Sequence, residues 1–399
     1  MSTIAQSVPG AAQATKPGGG LAVLLLAISA FIIVTTEFII VGLLPKLARD
    51  LGLSIAVAGQ LVTLFAFTVM LAGPVLTAML SHVERKRLFV VILVIFAGAN
   101  ALAAAAPNIW VLGIARFLPA LALPVFWGTA SETAGELAGP EKAGKAVANV
   151  YLGISGAMVL GIPLGTLAST AFGWRGTFWT LSGLSLLMAV LLLVVMPTLA
   201  RPGRVKLAEQ ARILKDPYFL GNVILSVVVF TAMFTAYTYL ADTLEQIAHI
   251  PAGQVGWWLM GFGIVGLAGN WLGGQFVGRG PLMVTAITAL VLAVGMAATT
   301  LLAGSPLWLA IALAVWGIAN TALYPICQVR VMQSASHAQA LAGTLNVSMA
   351  NAGIGLGAII GGSVIQHLGL GPVGYVAAAI AILAVIITPV VNRLARRTG

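Results

Sequence analysis

The sequence predicts an all-α membrane protein with twelve transmembrane helices in two six-helix halves. Three observations carry that expectation. Of 399 residues, 60% are hydrophobic and 8% charged, whereas a soluble domain carries roughly 25% charged residues. Twelve runs are long and apolar enough to cross a bilayer, which takes about 20 helical residues. The longest charged break, residues 200–217, divides those runs six and six. Period-2 alternation is missing, so a closed barrel, the other architecture that satisfies its backbone in lipid, is not supported.

In order, the runs fall near 21–44, 56–80, 88–106, 109–131, 146–168, 177–198, 218–240, 255–277, 282–303, 307–329, 340–365 and 372–392. A mobile cytoplasmic tail is expected over residues 1–20, which are polar and Gly/Ala-rich. They lack the basic n-region of a cleaved leader, so an uncleaved start is expected. The halves are then 21–198 and 218–399, the second ending in a short basic tail, with a cytoplasmic linker over 199–217.

The net charge of +10 is unevenly placed. With both termini cytoplasmic, the inner side holds Lys16, Arg85, Lys86, Arg87, Lys142, Lys145, Arg201, Arg204, Lys206, Arg212, Lys215, Arg279, Arg330, Arg393, Arg396 and Arg397. The outer side holds Lys46, Arg49 and Arg175, and Arg116 falls inside a span. This bias orients a multi-pass chain in the inner membrane and brings basic residues to anionic lipid. There is no basic groove with interleaved aromatics, so a nucleic-acid partner is not expected. Cys327 is the only cysteine, which rules out an intrachain disulfide. His82, His249, His337 and His367 lie far apart near loops. No metal, cofactor or enzymatic nucleophile–base–acid set is expected, and the expected oligomeric state is a monomer.

Span one carries the most informative residue. Glu37 is the only charge in residues 21–44, and a carboxylate at bilayer depth costs roughly 2.5–3.5 kcal/mol on insertion scales. It needs a partner, a proton or a water-filled cavity. Glu37 lies seven residues before the end of span one, and Arg116 seven after the start of span four. Both are therefore expected roughly 10 Å below the outer surface, at about 1.5 Å per residue. Burial and a neighbouring cation act oppositely on a carboxylate, so a change in water access changes its hold on a proton. Two readings stand, a proton-exchanging site and a fixed structural ion pair.

Span five reads Gly153-Ile-Ser-Gly156-Ala-Met-Val-Leu-Gly161-Ile-Pro163-Leu-Gly165. Its small residues favour close helix approach, and Pro163 removes a helical hydrogen bond and favours a kink. Internal echoes suggest a duplication. Ala58-Gly59-Gln60 corresponds to Ala252-Gly253-Gln254, and Gly161, Gly165 and Gly173 to Gly357, Gly361 and Gly369. By the same offsets Glu37 maps to Thr231, and Arg116 to Ala310 or Ala312, so the charged apparatus is expected in the first half alone.

Span seven offers Phe230, Phe234 and Tyr237 beside Thr231, Thr235 and Thr238; later spans add Asn270, Asn320, Asn346 and Asn351. These are candidate substrate-binding groups for a neutral or lipophilic solute, with ordinary helix packing as the alternative. Gly261-Phe-Gly263-Ile-Val-Gly266 matches a dinucleotide-binding pattern but sits inside an apolar span, without the required strand and acidic residue. It is assigned to packing.

The span-five glycines resemble the antiporter motif of the major facilitator superfamily, in Gly156, Gly161, Pro163 and Gly165. The chain is similar to its twelve-span drug–proton antiporter family, sugar and arabinose efflux branch. Thr35-Thr36-Glu37-Phe38, Val41-Gly42-Leu43-Leu44-Pro45, Arg116 and Phe172-Gly173-Trp174-Arg175 carry the likeness over all but the N-terminal tail. The resemblance implies a major facilitator fold and a proton-coupled exporter of a small drug or sugar, working by alternating access. Uptake, or facilitated flux, is the alternative within transport; a non-transporting receptor or scaffold is the alternative outside it. The family's loop after span two usually reads Gly-x-x-x-Asp-Arg-x-Gly-Arg-Arg/Lys. Here Ser81 replaces its acid, while Arg85 and Lys86 keep its basic pair. Glu84, or Glu132 and Glu136, are the candidates to complete this inner-loop gate, with solvated interfacial acids as the alternative.

Overall fold

The computed structural model describes residues 19–80, 82–139, 142–199, 211–335 and 338–398. Most of the tail expected over 1–20, Ser81, and most of the linker expected over 199–217 lie outside them. The first four helices are α1 (Gly19–Asp50), α2 (Ile55–Leu80), α3 (Arg85–Ala104) and α4 (Ile109–Ala138). The next helical stretch, 143–195, breaks at Phe172 (φ −130°, ψ 21°) and Gly173 (φ 73°, ψ 165°). Beyond the break, the Thr177 hydroxyl donates to the Gly165 carbonyl at 3.3 Å. Twelve residues of continuous helix would separate those groups by about 18 Å. The chain therefore folds back, and α5 (143–171) and α6 (174–195) are separate spans.

The second half comprises α7 (Pro217–Tyr237), extended by Leu240–Asp242 and a π turn at Thr243–Ile247, then α8 (Ala252–Phe276), α9 (Pro281–Leu301), α10 (Pro306–Gln333), α11 (Gln339–Leu368) and α12 (Val373–Thr398). These are the twelve expected spans, with α7 reaching further than expected.

Gly173 holds a backbone region that only glycine enters freely. Trp174 Nε1 and Arg175 then both donate to the Asp50 carboxylate, at 2.8 and 2.9 Å, tying the α5–α6 turn to the end of α1. Gly173→Ala is expected to cost about 1–3 kcal/mol, read as a lower thermal midpoint of the purified protein. Gly369, at the repeat-related α11–α12 turn, takes nearly the same conformation (φ 84°, ψ 178°).

The repeat extends into packing. Gly161 and Gly165 of α5 bring that helix against Thr35 and Ile39 of α1. Gly357 and Gly361 of α11 do the same against the α7 backbone around Thr231 and Thr235. A π turn at Ala157–Gly161 precedes Pro163, whose missing N–H loosens the helical ladder there.

The halves meet along two seams, α2 against α11 and α5 against α8. Call the face that carries Arg85–Arg87 the basic face and the opposite one the far face. Near the far face, a side chain at Gly256 of α8 would meet Leu167 of α5 at 2.5 Å. At mid-depth, one at Gly263 would meet the Met158 carbonyl at 2.7 Å. Seven residues on, along the same stripe of α8, Asn270 is exposed, as are Tyr151 and Leu152 of α5. The seam is close-packed from the far face to mid-depth, and towards the basic face the residues on the same stripes are exposed. An Arg49–Glu245 ion pair of 2.5 Å also joins α1 to α7 at the far face.

One expectation is overturned. Buried charge is not confined to the first half, because Arg330 is 2% exposed and Asp242 is 0% exposed. Arg330, placed among the inner-side cations on sequence, lies inside the bundle. It donates to the Asn222 carbonyl (3.0 Å), Ser226 (2.8 Å) and Thr285 (3.4 Å), joining α10 to α7 and α9.

Candidate functional site

Glu37 and Arg116 meet between α1 and α4. The fully buried guanidinium donates to two successive carbonyls of α1, Thr36 at 2.5 Å and Glu37 at 2.6 Å. Its carbon also sits 4.4 Å from the centre of the Phe65 ring, a cation–π contact that strengthens when desolvated. Asn100 of α3 steadies the same turn by donating to the Thr36 hydroxyl at 3.2 Å. Arg116 thus spends its fork on backbone. It forms no ion pair within 4 Å with the Glu37 carboxylate among the described residues.

That carboxylate instead lines a small pocket with Arg116, Phe38, Phe65 and, from the second half, Asn351 and Ile354. The free space is about 10 Å³, the room of one water molecule. Proton exchange needs little more. A sugar-sized solute would need the halves to separate further.

The predicted substrate groups divide sharply. Asn351 reaches the pocket; its amide donates to the Val347 carbonyl at 3.0 Å, and its oxygen is unpaired. Phe234 packs at a tilt on Phe38 across the halves, with ring centres 5.8 Å apart, and Tyr237 packs between Phe234 and Phe262. The others lie elsewhere. Thr231 bonds the Val227 carbonyl at 2.8 Å, as threonines in apolar helices do. Asn346 donates to Gln328 at 2.7 Å. Asn320 is buried with an unpaired oxygen, and Asn270 is exposed on the stripe where α8 leaves α5. Sequence reasoning missed Tyr324, which packs edge-on against Phe230 at 5.1 Å. Its signal was a tyrosine inside the apolar tenth span.

At the basic face, Arg85 is buried and pairs with Glu132 of α4 at 2.7 Å. Glu84 caps α3, accepting from the backbone N–H groups of Lys86 and Arg87 at 2.9 Å each. Lys86 is half-buried and Glu136 exposed. The Arg85–Glu132 pair lies within one half rather than across the two. Gly263 and Gly266 of the dinucleotide-like pattern are close helix contacts with α5 and α10.

These features define a polytopic helical membrane protein with an acid beside a buried guanidinium where its first and second six helices meet. Comparison with known proteins agrees. The family model of the Major Facilitator Superfamily matches residues 26–348 and 223–397. The chain is 36% identical over 367 residues to the inner membrane transport protein YdhP of Escherichia coli O157:H7, covering 91% of this chain and 94% of that one. It is 32% identical to a probable sugar efflux transporter of Helicobacter pylori strain G27, over 91% of this chain and 93% of that one. Among solved structures it resembles a bacterial homologue of the lysosomal transporter Spinster, inward-facing and unoccupied (TM-score 0.76, 14% identity, 95% and 98% of the chains). It also resembles a D-xylose–proton symporter (TM-score 0.74, 16% identity, 92% and 96% of the chains). The two solved structures bear on fold alone.

The chain belongs to the major facilitator superfamily. It is a membrane transporter and not an enzyme.

Proposed function

We propose that this protein is a proton-coupled antiporter that exports a small neutral solute of the sugar class, with its basic face in the cytoplasm. The single observation that carries the reading is the state of Glu37. Its carboxylate lines the pocket between the halves without a hydrogen bond, while the adjacent guanidinium is committed to the α1 backbone. Such an acid is free to gain and lose a proton as water access changes. Phe38, Phe65 and Asn351 line the same pocket without adding charge, and Phe234 and Tyr237 pack behind Phe38, as suits a hydroxylated neutral solute. The sugar efflux relatives supply the substrate class.

In the cycle, Glu37 takes a proton when the far face is open and releases it when the basic face is open, where solute binds. One charge crossing 100 mV yields about 2.3 kcal/mol. At about 1.4 kcal/mol per tenfold, that sustains roughly a 40-fold solute gradient. The test is flux in vesicles of known orientation under an imposed pH gradient, with a panel of labelled sugars. Expected is solute movement opposite to the proton gradient. Movement along with it would assign uptake, and binding without flux would assign a receptor.

The α5–α8 seam gives a second test. A larger side chain at Gly263 meets α5 backbone at 2.7 and 2.9 Å and cannot be relieved by a rotamer change. Gly263→Leu is expected to keep the far face from shutting and to reduce transport to background. Overpacking of this kind costs about 1–3 kcal/mol, small enough to leave a folded protein for the flux assay.

A further inference from the structure

Asp242 is wholly buried at the far-face end of α7, and neither carboxylate oxygen accepts a hydrogen bond from any other residue. Its surroundings explain why. From α1 comes Arg49, from the adjoining π turn Glu245, and from α7 itself Tyr239; Lys46 of α1 stands beside Arg49 and Glu245. Each is committed elsewhere. Arg49 pairs with Glu245, and Lys46 donates to Ser169 at 2.6 Å. Tyr239 donates to the Ala358 carbonyl of α11 at 2.8 Å. Asp50, at the end of α1, is held by Trp174 and Arg175. Glu245 adds a like charge, and the nearby cation, Arg49, is paired with Glu245 and makes no ion pair with Asp242 among the described residues. A carboxylate buried without partner takes a proton rather than remain ionised. All these groups sit where the halves close the far face.

We propose that Asp242 is a second proton-binding side chain, seated on the far-face closure and required to hold its proton for that closure to shut. Opening the far face hydrates Asp242 and lets it ionise. Closing it demands that the proton be taken up again from the same side. The proton on Asp242 therefore gates the far face and is not carried across, unlike the one assigned to Glu37. The inference rests on the alternating-access reading but not on Glu37 being the coupling acid.

The sign follows from linkage. The closed state binds one proton more than the open state, so raising pH favours opening. In lipid nanodiscs, spin labels at Thr170→Cys and Gln254→Cys, both exposed on opposite sides of the far-face seam, report its width between pH 5 and 9. The open-to-closed ratio is expected to rise by up to about tenfold per pH unit above the titration point. Asp242→Asn is expected to hold the seam shut and flat across the range, and Asp242→Glu to restore the slope. Glu37→Gln is expected to leave the slope in place, which separates this proposal from the coupling assignment. A slope that survives Asp242→Asn, or a seam shut at every pH in the parent, overturns it. Infrared spectra of Glu37→Gln give a check independent of Asp242→Asn folding. A protonated-carboxyl band should persist at neutral pH, and its absence also overturns the proposal.

Discussion

Replacing Glu37 with glutamine is expected to reduce solute-driven proton movement to the leak of empty vesicles. Glutamine keeps the shape and one acceptor of the acid but binds no exchangeable proton. The α1 backbone should hold, because Arg116 bonds the carbonyls of Thr36 and Glu37 rather than the side chain. Solute binding, measured by calorimetry or thermal shift, should change by no more than about 1 kcal/mol, the worth of one hydrogen bond. Loss of coupling with binding retained separates a proton carrier from a structural acid. If coupled flux persists in Glu37→Gln, the carrier is another group and the proposed cycle is wrong.

How much of this was legible beforehand differs by kind of feature. The spans were visible because twenty apolar residues mean the same thing wherever they occur. The Glu37–Arg116 meeting was anticipated from depth alone. Its form, a fork closed on two backbone carbonyls, was not, because sequence shows which helices reach one depth and not which atoms face each other. The glycine spacing that suggests a duplication has a structural counterpart, since Gly173 and Gly369 take nearly the same conformation. The asparagines were the weakest reading. Only Asn351 reaches the pocket, since a polar residue in an apolar helix finds a partner on any face, as Asn346 does with Gln328. Asp242 escaped notice because it lies two residues past the expected end of span seven, where an acid ordinarily meets water. The chain instead continues as a π turn and folds it inward. Arg330 likewise lies one residue past the expected end of span ten, and α10 continues as helix to Gln333, which keeps it inside the bundle.

Loss of Arg116 should damage the fold severely. Hydrogen bonds to a charged group are worth roughly 1.5–3 kcal/mol each, and Arg116 makes two while stacking on Phe65. Arg116→Met, which keeps most of the volume, is expected to cost about 3–5 kcal/mol and to lower the thermal midpoint accordingly. Arg116→Lys should recover only part of this, because a point-charge ammonium cannot span two successive carbonyls as a planar fork does. The informative measurement is the cycle of Arg116→Met with Glu37→Gln. If the guanidinium serves the acid as well as the backbone, the double variant should be less destabilised than the two singles combined, by about 0.5–3 kcal/mol. Removing the cation then matters less once the carboxylate is gone. Strict additivity would make Arg116 a clamp on α1 alone, and Glu37 would have to exchange its proton without help from the guanidinium in its pocket.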